Sequence, residues 1–349
     1  MSNKHNNLEI KGKQRSYFLD LSTYVFVRFL LSILSILPYP TKIAMGGLIY
    51  QKVISPLSGN RKRIIDNLKL VFPNLEKEKR EELCTKVPNN IGRTFFELLS
   101  PNEFSSVAKS AKISGPGFKA LRDAQEQRKA VILVSGHFGN YDVVRVVLNA
   151  NNISVGALYK PMSNPYFNTF YERCIKQIAE PLFPRGRAGM GNMVRYLSDG
   201  KVIALLIDQY MSHGEPLKFF GHTAYTATSA AKLALKHDAL LITFYVVRNN
   251  DGINFDLIFE SPVTPTSPNE MTQILNNRLE KQIRKNMGQW LWTHRRWKSP
   301  SSIEKINLIG LHRLAAHCHS IGIIRRGSYY FCSSFHSHYM NFNSCSFIS

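Results

Sequence analysis

Acidic side chains are the first scarcity in this sequence: 24 Asp and Glu stand against 45 Lys and Arg in 349 residues, a formal net charge of +21. A surface so basic draws polyanions: nucleic acid, an anionic membrane or an acidic protein. Nucleic acid lacks a module to carry it, because no zinc-finger spacing, RNP-type aromatic strand or basic region with heptads occurs. Cysteine is sparse as well. Five residues, an odd number with no C-x-x-C pair, exclude a disulfide framework and suit reduced thiols. Long hydrophobic runs are missing: Tyr17 to Leu37 is strongly apolar, but Asp20 and Arg28 interrupt it and only Phe29 to Leu37 is unbroken. That is well short of the ~20 residues that cross a bilayer. No small-residue cleavage site precedes Pro38 and Pro40, so a cleaved signal is not expected. The stretch reads as a span with Arg28 snorkelling, as a helix embedded in one leaflet, or as a buried helix of the domain. Basic residues flank it on both sides and give it no orientation.

What is present centres on Ala130 to Val144, AVILVSGHFGNYDVV. Ala130 to Val134 is too short for a helix and reads as a buried strand. Ser135, Gly136, Gly139 and Asn140 make a turn, and Tyr141 onward resumes a helical pattern. Such a strand delivers side chains to the carboxyl edge of a sheet, where open α/β proteins keep their ligands. His137 sits on this turn and Asp142 follows five positions later. An imidazole held by a carboxylate is what a general base requires. About one such spacing is expected by chance with this many His and acidic residues. The pair therefore also reads as a turn histidine beside an aspartate at a helix start.

Around this centre the chain divides into a polar lead (1–16), an apolar anchor with an amphipathic segment (17–55), a main domain (56–300) and an atypical tail (301–349). Ile43 to Ile54 is apolar with few charges and is expected to face a membrane. Arg61 to Phe72 is a basic amphipathic helix, a surface for headgroups or an acidic partner, or simply a solvated face. Glu76 to Leu99 and Met271 to Asn286 read as helices. Strands are expected near 130, 153, 202, 240 and 253, the last two around an Asn249 to Gly252 turn. Phe219, Phe220 and Gly221 precede TAYTATSAAKLAL, read as a threonine-capped helix start. The predicted fold is α/β: a mixed sheet sandwiched by helices, with an N-terminal hydrophobic membrane-anchoring helix. In WLWTHRRW, Trp290 and Trp292 would be core, with His294, Arg295 and Arg296 exposed, the segment closing the domain near the sheet. The tail holds five of eleven histidines and three of five cysteines. Spacings such as His317-Cys318-His319 and His336/His338 invite a metal, but the paired clusters of a zinc site are missing; no metal is expected.

GHFGNYD is similar to the H-x4-D/E signature of the lysophospholipid-acyltransferase-like superfamily. Its surroundings resemble the late lipid A acyltransferases, which add lauroyl or myristoyl chains to a Kdo-lipid A precursor. The stretches RKRIIDNLKLVFPNL, YKPMSNPYF, PRGRAGMGNMVRYLSDG, ALLIDQY, LKFFGHTAYTATSAAKLAL and QWLWTHRRWK agree in order, over about residues 17 to 300. The resemblance implies transfer of an acyl chain from acyl carrier protein to a lipid A precursor hydroxyl, with His137 as base and Asp142 orienting it. It places Arg187 at the family's active-site arginine, with Arg185 a competitor, and adds Asn140, Asn164, Asp208 and Gln209 on the substrate side. Asp208 and Gln209 would order their neighbours rather than react. No cofactor or nucleic acid is implied; the partners are the carrier protein, the lipid acceptor and the membrane. The expected location is the bacterial inner membrane, catalytic domain toward the cytoplasm. The alternatives are glycerophospholipid acylation and a non-catalytic basic membrane-surface binder. Removing the tail takes away only Lys305, Arg313, Arg325, Arg326 and Glu304, so the basicity belongs to the body. That excess favours an acidic carrier over a small thioester donor.

Overall fold

A parallel sheet needs crossover helices, and the chain supplies them in alternation through its middle. The computed structural model describes residues 17–298; the polar lead and the histidine-rich tail lie outside the described residues. Helices α1 (Tyr17–Leu34), α2 (Tyr39–Ile49), α3 (Ser55–Leu57), α4 (Asn60–Val71), α5 (Lys77–Leu98) and α6 (Pro101–Ala108) come first, with a wide helical turn at Tyr50–Ile54 between α2 and α3. Then follow β1 (Lys112–Ser114), α7 (Gly117–Glu126), β2 (Val131–Ser135), α8 (Val143–Ala150), β3 (Val155–Tyr159), α9 (Pro165–Ile178), β4 (Leu182–Pro184), α10 (Arg187–Ser198) and β5 (Val202–Leu206). The hairpin β6 (Glu215–Phe219) and β7 (His222–Thr226) precedes α11 (Ser229–Lys236), β8 (Leu240–Arg248), β9 (Phe255–Phe259) and α12 (Pro268–Lys285).

The main sheet has seven strands in the order β1-β9-β8-β2-β5-β3-β4. Every pairing is parallel except β8 with β9, which makes the sheet mixed as expected. β2 lies at its centre and is buried on both faces. Its alternate residues feed two cores: Val131 and Leu133 meet α5, α6 and α8, while Ile132 and Val134 meet α10, α11 and α12. A period-two strand between two helical layers is the expected result for a fully buried run.

Several local departures have physical causes. TAYT, read as a helix start, is strand β7, and α11 begins only at Ser229. Its partner β6 is reached through Phe220 and Gly221, both at positive φ (51° and 77°), the two-residue turn that suits strand twist. β1 and β4, three residues each and not buried, left no apolar run to read.

α1 is the one helix among the described residues long and apolar enough to cross a membrane, and Leu34 is its only buried residue. It docks on α9. Asn164 Nδ2 donates to the Asp20 carbonyl at 2.8 Å, Tyr24 meets Tyr166 with ring centroids 6.2 Å apart, and the Arg28 guanidinium lies 4.1 Å over the Phe170 ring. Arg28 is thus held against protein rather than reaching along the helix for headgroups.

α2 is clamped on α5 through glycines. A Cβ on Gly92 would stand 2.5 Å from Tyr50 Cβ and 2.6 Å from the Gly46 carbonyl oxygen, both closer than atoms tolerate. Gly92→Ala should therefore cost about 1–3 kcal/mol by overpacking and visibly lower the midpoint of thermal unfolding. Gly191→Ala, where the added methyl meets nothing within 4 Å of a helical glycine, should be neutral or stabilising in the same measurement.

Candidate active site

The centre of the site is set by strand register. β2 and β5 pair in parallel with Ser135 opposite Leu206, and the ladder continues as Ile207 N–H donates to the Ser135 carbonyl. Two residues beyond each paired end stand His137 and Asp208, and they meet. His137 Nδ1 lies 2.7 Å from Asp208 Oδ1, and the His137 backbone N–H donates to Oδ2 at 2.8 Å. The Trp290 indole N–H donates to the same Oδ2, also at 2.8 Å. A carboxylate only accepts, so Nδ1 carries the proton and Nε2 keeps its lone pair. Gln209 Nε2 stands 3.4 Å from that nitrogen. Asp208 is 2% exposed while His137 is 16% exposed: the base reaches solvent and its carboxylate does not. Burial alone would raise the Asp208 pKa, but the electrostatic attraction of the His137 ring and the three donors outweigh it and hold the group down at about 2.

Room for this carboxylate depends on Gly136, where a Cβ would come within 2.8 Å of Leu279 and 3.0 Å of Asp208 Oδ2. The turn is then laced to the tryptophan segment. Gly139 N–H donates to the Gln289 carbonyl, Leu291 N–H donates to the His137 carbonyl, and Phe138 and Trp290 form an antiparallel bridge. Gly139, at φ 59°, runs so close to β8 that a Cβ would sit 1.9 Å from the Val246 oxygen.

Asp142 is not on His137. Its Oδ1 accepts from Arg145 Nη1 at 2.6 Å, and Arg145 goes on to the Ile175 and Ala179 carbonyls at the end of α9. A carboxylate three residues before an arginine, across the start of α8, finds its partner within the same turn. The expectation that Asp142 orients the imidazole is corrected: Asp208 holds that place, and Asp142 clamps α8 to α9. His137 instead meets Tyr141 edge-on, with ring centroids 5.6 Å apart.

The other expected residues are dispersed. Asn140 is fully buried, donating to Glu97 Oε2 at 2.8 Å and accepting from the Asp142 N–H. Asn164 caps α9 by accepting from Phe167 N–H and donates to Asp20 of α1, so both ends of its amide are occupied. Arg187 opens α10 and is exposed, just past β4. β4 lies three strands from β2, about 14 Å along the sheet edge at ~4.8 Å per strand. Arg185, the competitor, is exposed on the same loop and donates its backbone N–H to the Tyr159 carbonyl.

Other contributors escaped the sequence reading or were misplaced by it. Glu97, wholly buried on α5, is gripped by both terminal nitrogens of Arg248 from β8, and together they hold Asn140 under the turn. Gln289 mimics a strand, its amide exchanging two 2.8 Å bonds with the Arg248 backbone. His294, expected exposed, accepts from Tyr210 N–H through Nε2 at 2.9 Å; burial, followed by the positive charge of neighbouring groups, pushes its pKa down to about 4. Arg296, also expected outside, is fully buried, donating to the Tyr225 carbonyl and Thr226 hydroxyl and lying 5.2 Å over the Phe219 ring. None of these has a local spacing signal; each is fixed by a contact across the fold. Among the described residues no three His, Cys, Asp or Glu side chains converge as metal ligands would.

The family described as bacterial lipid A biosynthesis acyltransferase matches residues 10–299. A lipid A biosynthesis lauroyltransferase of Escherichia coli K12 is 25% identical over 278 residues, covering 75% of this chain and 87% of the relative. A palmitoleoyltransferase of the same pathway and strain is 25% identical over 269 residues, with the same coverage. A lipid A biosynthesis acyltransferase of Haemophilus influenzae is 23% identical over 242 residues, covering 67% and 76%.

Two stability measurements check the charge assignments. Asp142→Asn leaves Arg145 buried without its counter-charge and should cost about 3–5 kcal/mol, the penalty for breaking a buried pair from one side. His294 takes up a proton in the unfolded chain near pH 6.5 but in the folded protein only near 4. Folding stability should therefore be full above pH 6.5 and decline as pH falls toward 4. His294→Gln, which keeps an acceptor for Tyr210 N–H without titrating, should flatten that decline by up to one proton in denaturant titrations across the window.

Proposed function

Because the chain belongs to the bacterial lipid A biosynthesis acyltransferase family, we propose that it moves a fatty acyl chain from the thioester of acyl carrier protein to a hydroxyl of a Kdo-lipid A precursor. The observation that carries this reading is the His137–Asp208 pair, with a lone pair on Nε2 at the partly open edge of the sheet. An acceptor hydroxyl placed at Nε2 gives up its proton as its oxygen attacks the thioester carbonyl. Asp208, ionised and buried, steadies the imidazolium that forms. The tetrahedral intermediate then collapses, the carbon–sulfur bond breaks, and the thiolate leaves with the proton returned from Nε2. The Gln209 amide, close to Nε2, is placed to donate to the acceptor oxygen or to the developing oxyanion.

Arg187 takes a different part in this scheme. It opens α10 just past β4, three strands along the sheet edge from β2, and its exposed guanidinium is suited to hold a phosphate of the acceptor rather than to serve as the base. The basic excess of the body supports an acidic carrier protein as donor, and α1 supports a tether that keeps the site beside its lipid substrate; in this reading that membrane is the inner one and the domain faces the cytoplasm, where the carrier protein would meet it.

Transfer of labelled acyl groups from acyl carrier protein to a lipid A precursor, with mass spectrometry of the product, is the direct test. His137→Ala should lower kcat by about 10²- to 10⁴-fold in a protein that still folds. Asp208→Asn should fall in the same range, whereas Asp142→Asn should lose thermal stability and keep a larger share of kcat at low temperature. Arg187→Ala should act mainly on KM for the acceptor. Acylation of a glycerophospholipid in place of the lipid A precursor, or full activity of His137→Ala, would overturn the proposal.

A further inference from the structure

From Leu21 to Ile65 the chain carries no acidic residue, while Arg28, Lys42, Lys52, Arg61, Lys62 and Arg63 lie there. α2 and the turns that follow it divide cleanly into two sides. Tyr39, Lys42, Ile43, Gly46, Gly47, Tyr50 and Ser55 are buried. Gly46 and Gly47 let this side lie directly on α5, where a Cβ would strike Phe96, Asn89 and Arg93. Lys42, the one charge inside α2, is turned inward to Glu103 and is only 7% exposed. The outer side is left apolar: Met45, Leu48, Val53, Ile54 and Leu57 are exposed, Leu57 to 86%.

Single exposed leucines need no explanation, but five large apolar side chains within thirteen residues, on an element rigidly fixed behind, form a surface that wants a partner. Two observations name it. α2, which bears the start of the ridge, follows α1 after only four residues, 35–38, and Ile36 in that link is itself 83% exposed, so apolar surface continues from the membrane-length helix. Its border is cationic: Lys52 is exposed and makes no ion pair among the described residues. An apolar ridge with an exposed lysine at its edge, in a segment without carboxylates, fits the headgroup region of an anionic bilayer.

We propose that Met45, Leu48, Val53, Ile54 and Leu57 form a second membrane contact, inserted at the interface of an anionic bilayer beside α1. This rests on the reading of α1 as a membrane helix. One helix can pivot about its own axis; a second contact, clamped to α5 by glycines, fixes how the domain is turned toward the lipid. α5 also carries Glu97, which holds Asn140 beneath the His137 turn, so ridge and site belong to one rigid path.

Full-length protein carrying Leu57→Trp, Phe26→Trp or Leu235→Trp is reconstituted in vesicles of phosphatidylcholine and phosphatidylglycerol, with and without brominated acyl chains. Leu57→Trp is expected to lose about half or more of its added emission to bromolipid, since interfacial side chains lie roughly 5–10 Å deep. Phe26→Trp should lose as much or more, and Leu235→Trp, an exposed position on α11, should lose little. Replacing phosphatidylglycerol by phosphatidylcholine should weaken the effect at 57 and leave that at 26. Quenching at 26 with none at 57 would overturn the ridge alone; no quenching at either would overturn the membrane reading of α1 with it. Loss of quenching at 57 together with a dimer in detergent that Leu57→Asp dissolves would assign the ridge to a second copy of the chain and overturn the proposal.

Discussion

The structure depends on keeping one carboxylate charged away from water. Asp208 is buried among apolar side chains, where ionisation is costly unless every lone pair that counts is met. Three donors meet it, from two distant stretches of chain: the backbone and ring of His137 after β2, and the indole of Trp290 after α12. The small residue at 136, the parallel register of β2 with β5, and the return of the tryptophan segment across the turn all serve that one charge.

The tryptophan segment shows how the surroundings are kept dry. Trp290, Trp292 and Trp297 pack on Phe219 and Phe220 of the hairpin and, through Trp292, on Phe72 at the end of α4, with ring centroids from 4.7 to 6.5 Å apart. Such clusters combine large buried area with edge-to-face geometry. The cations within this segment follow different rules. Arg296 turns inward because Thr226 and the Tyr225 carbonyl are waiting, and its pKa is drawn down to about 10 by burial, against the pull of Asp208.

Much of the scaffold was legible because buried strands are apolar runs and their helices are amphipathic. The strands near 130, 153, 202, 240 and 253 fall where those runs are, and their α/β alternation gave the layers. Short half-exposed strands such as β1 carry no such mark, and the small, polar TAYT run could not announce a strand without its partner β6. In the site, the strand and glycine turn that present His137 were legible from the apolar run, and the resemblance singled out the histidine itself. Its pairing was not, although the resemblance had set Asp208 near the site as an ordering residue. Local spacing pointed to Asp142, whose charge is taken by Arg145 one turn on, whereas Asp208 is 71 positions from His137 and is brought to it only by strand pairing. Glu97 and Arg248, 151 positions apart, are illegible for the same reason.

That long-range assembly has a consequence for how the protein is made. β2 gains its neighbours only after β5 and then β8 have been synthesised, and the indole that completes the Asp208 shell arrives near the end of the described residues. A ribosome-bound chain thus carries the histidine long before it carries the means to use it. Contacts of such separation form late and slowly. The reactive pair is therefore among the last features to appear, and only in a chain whose central sheet is already built.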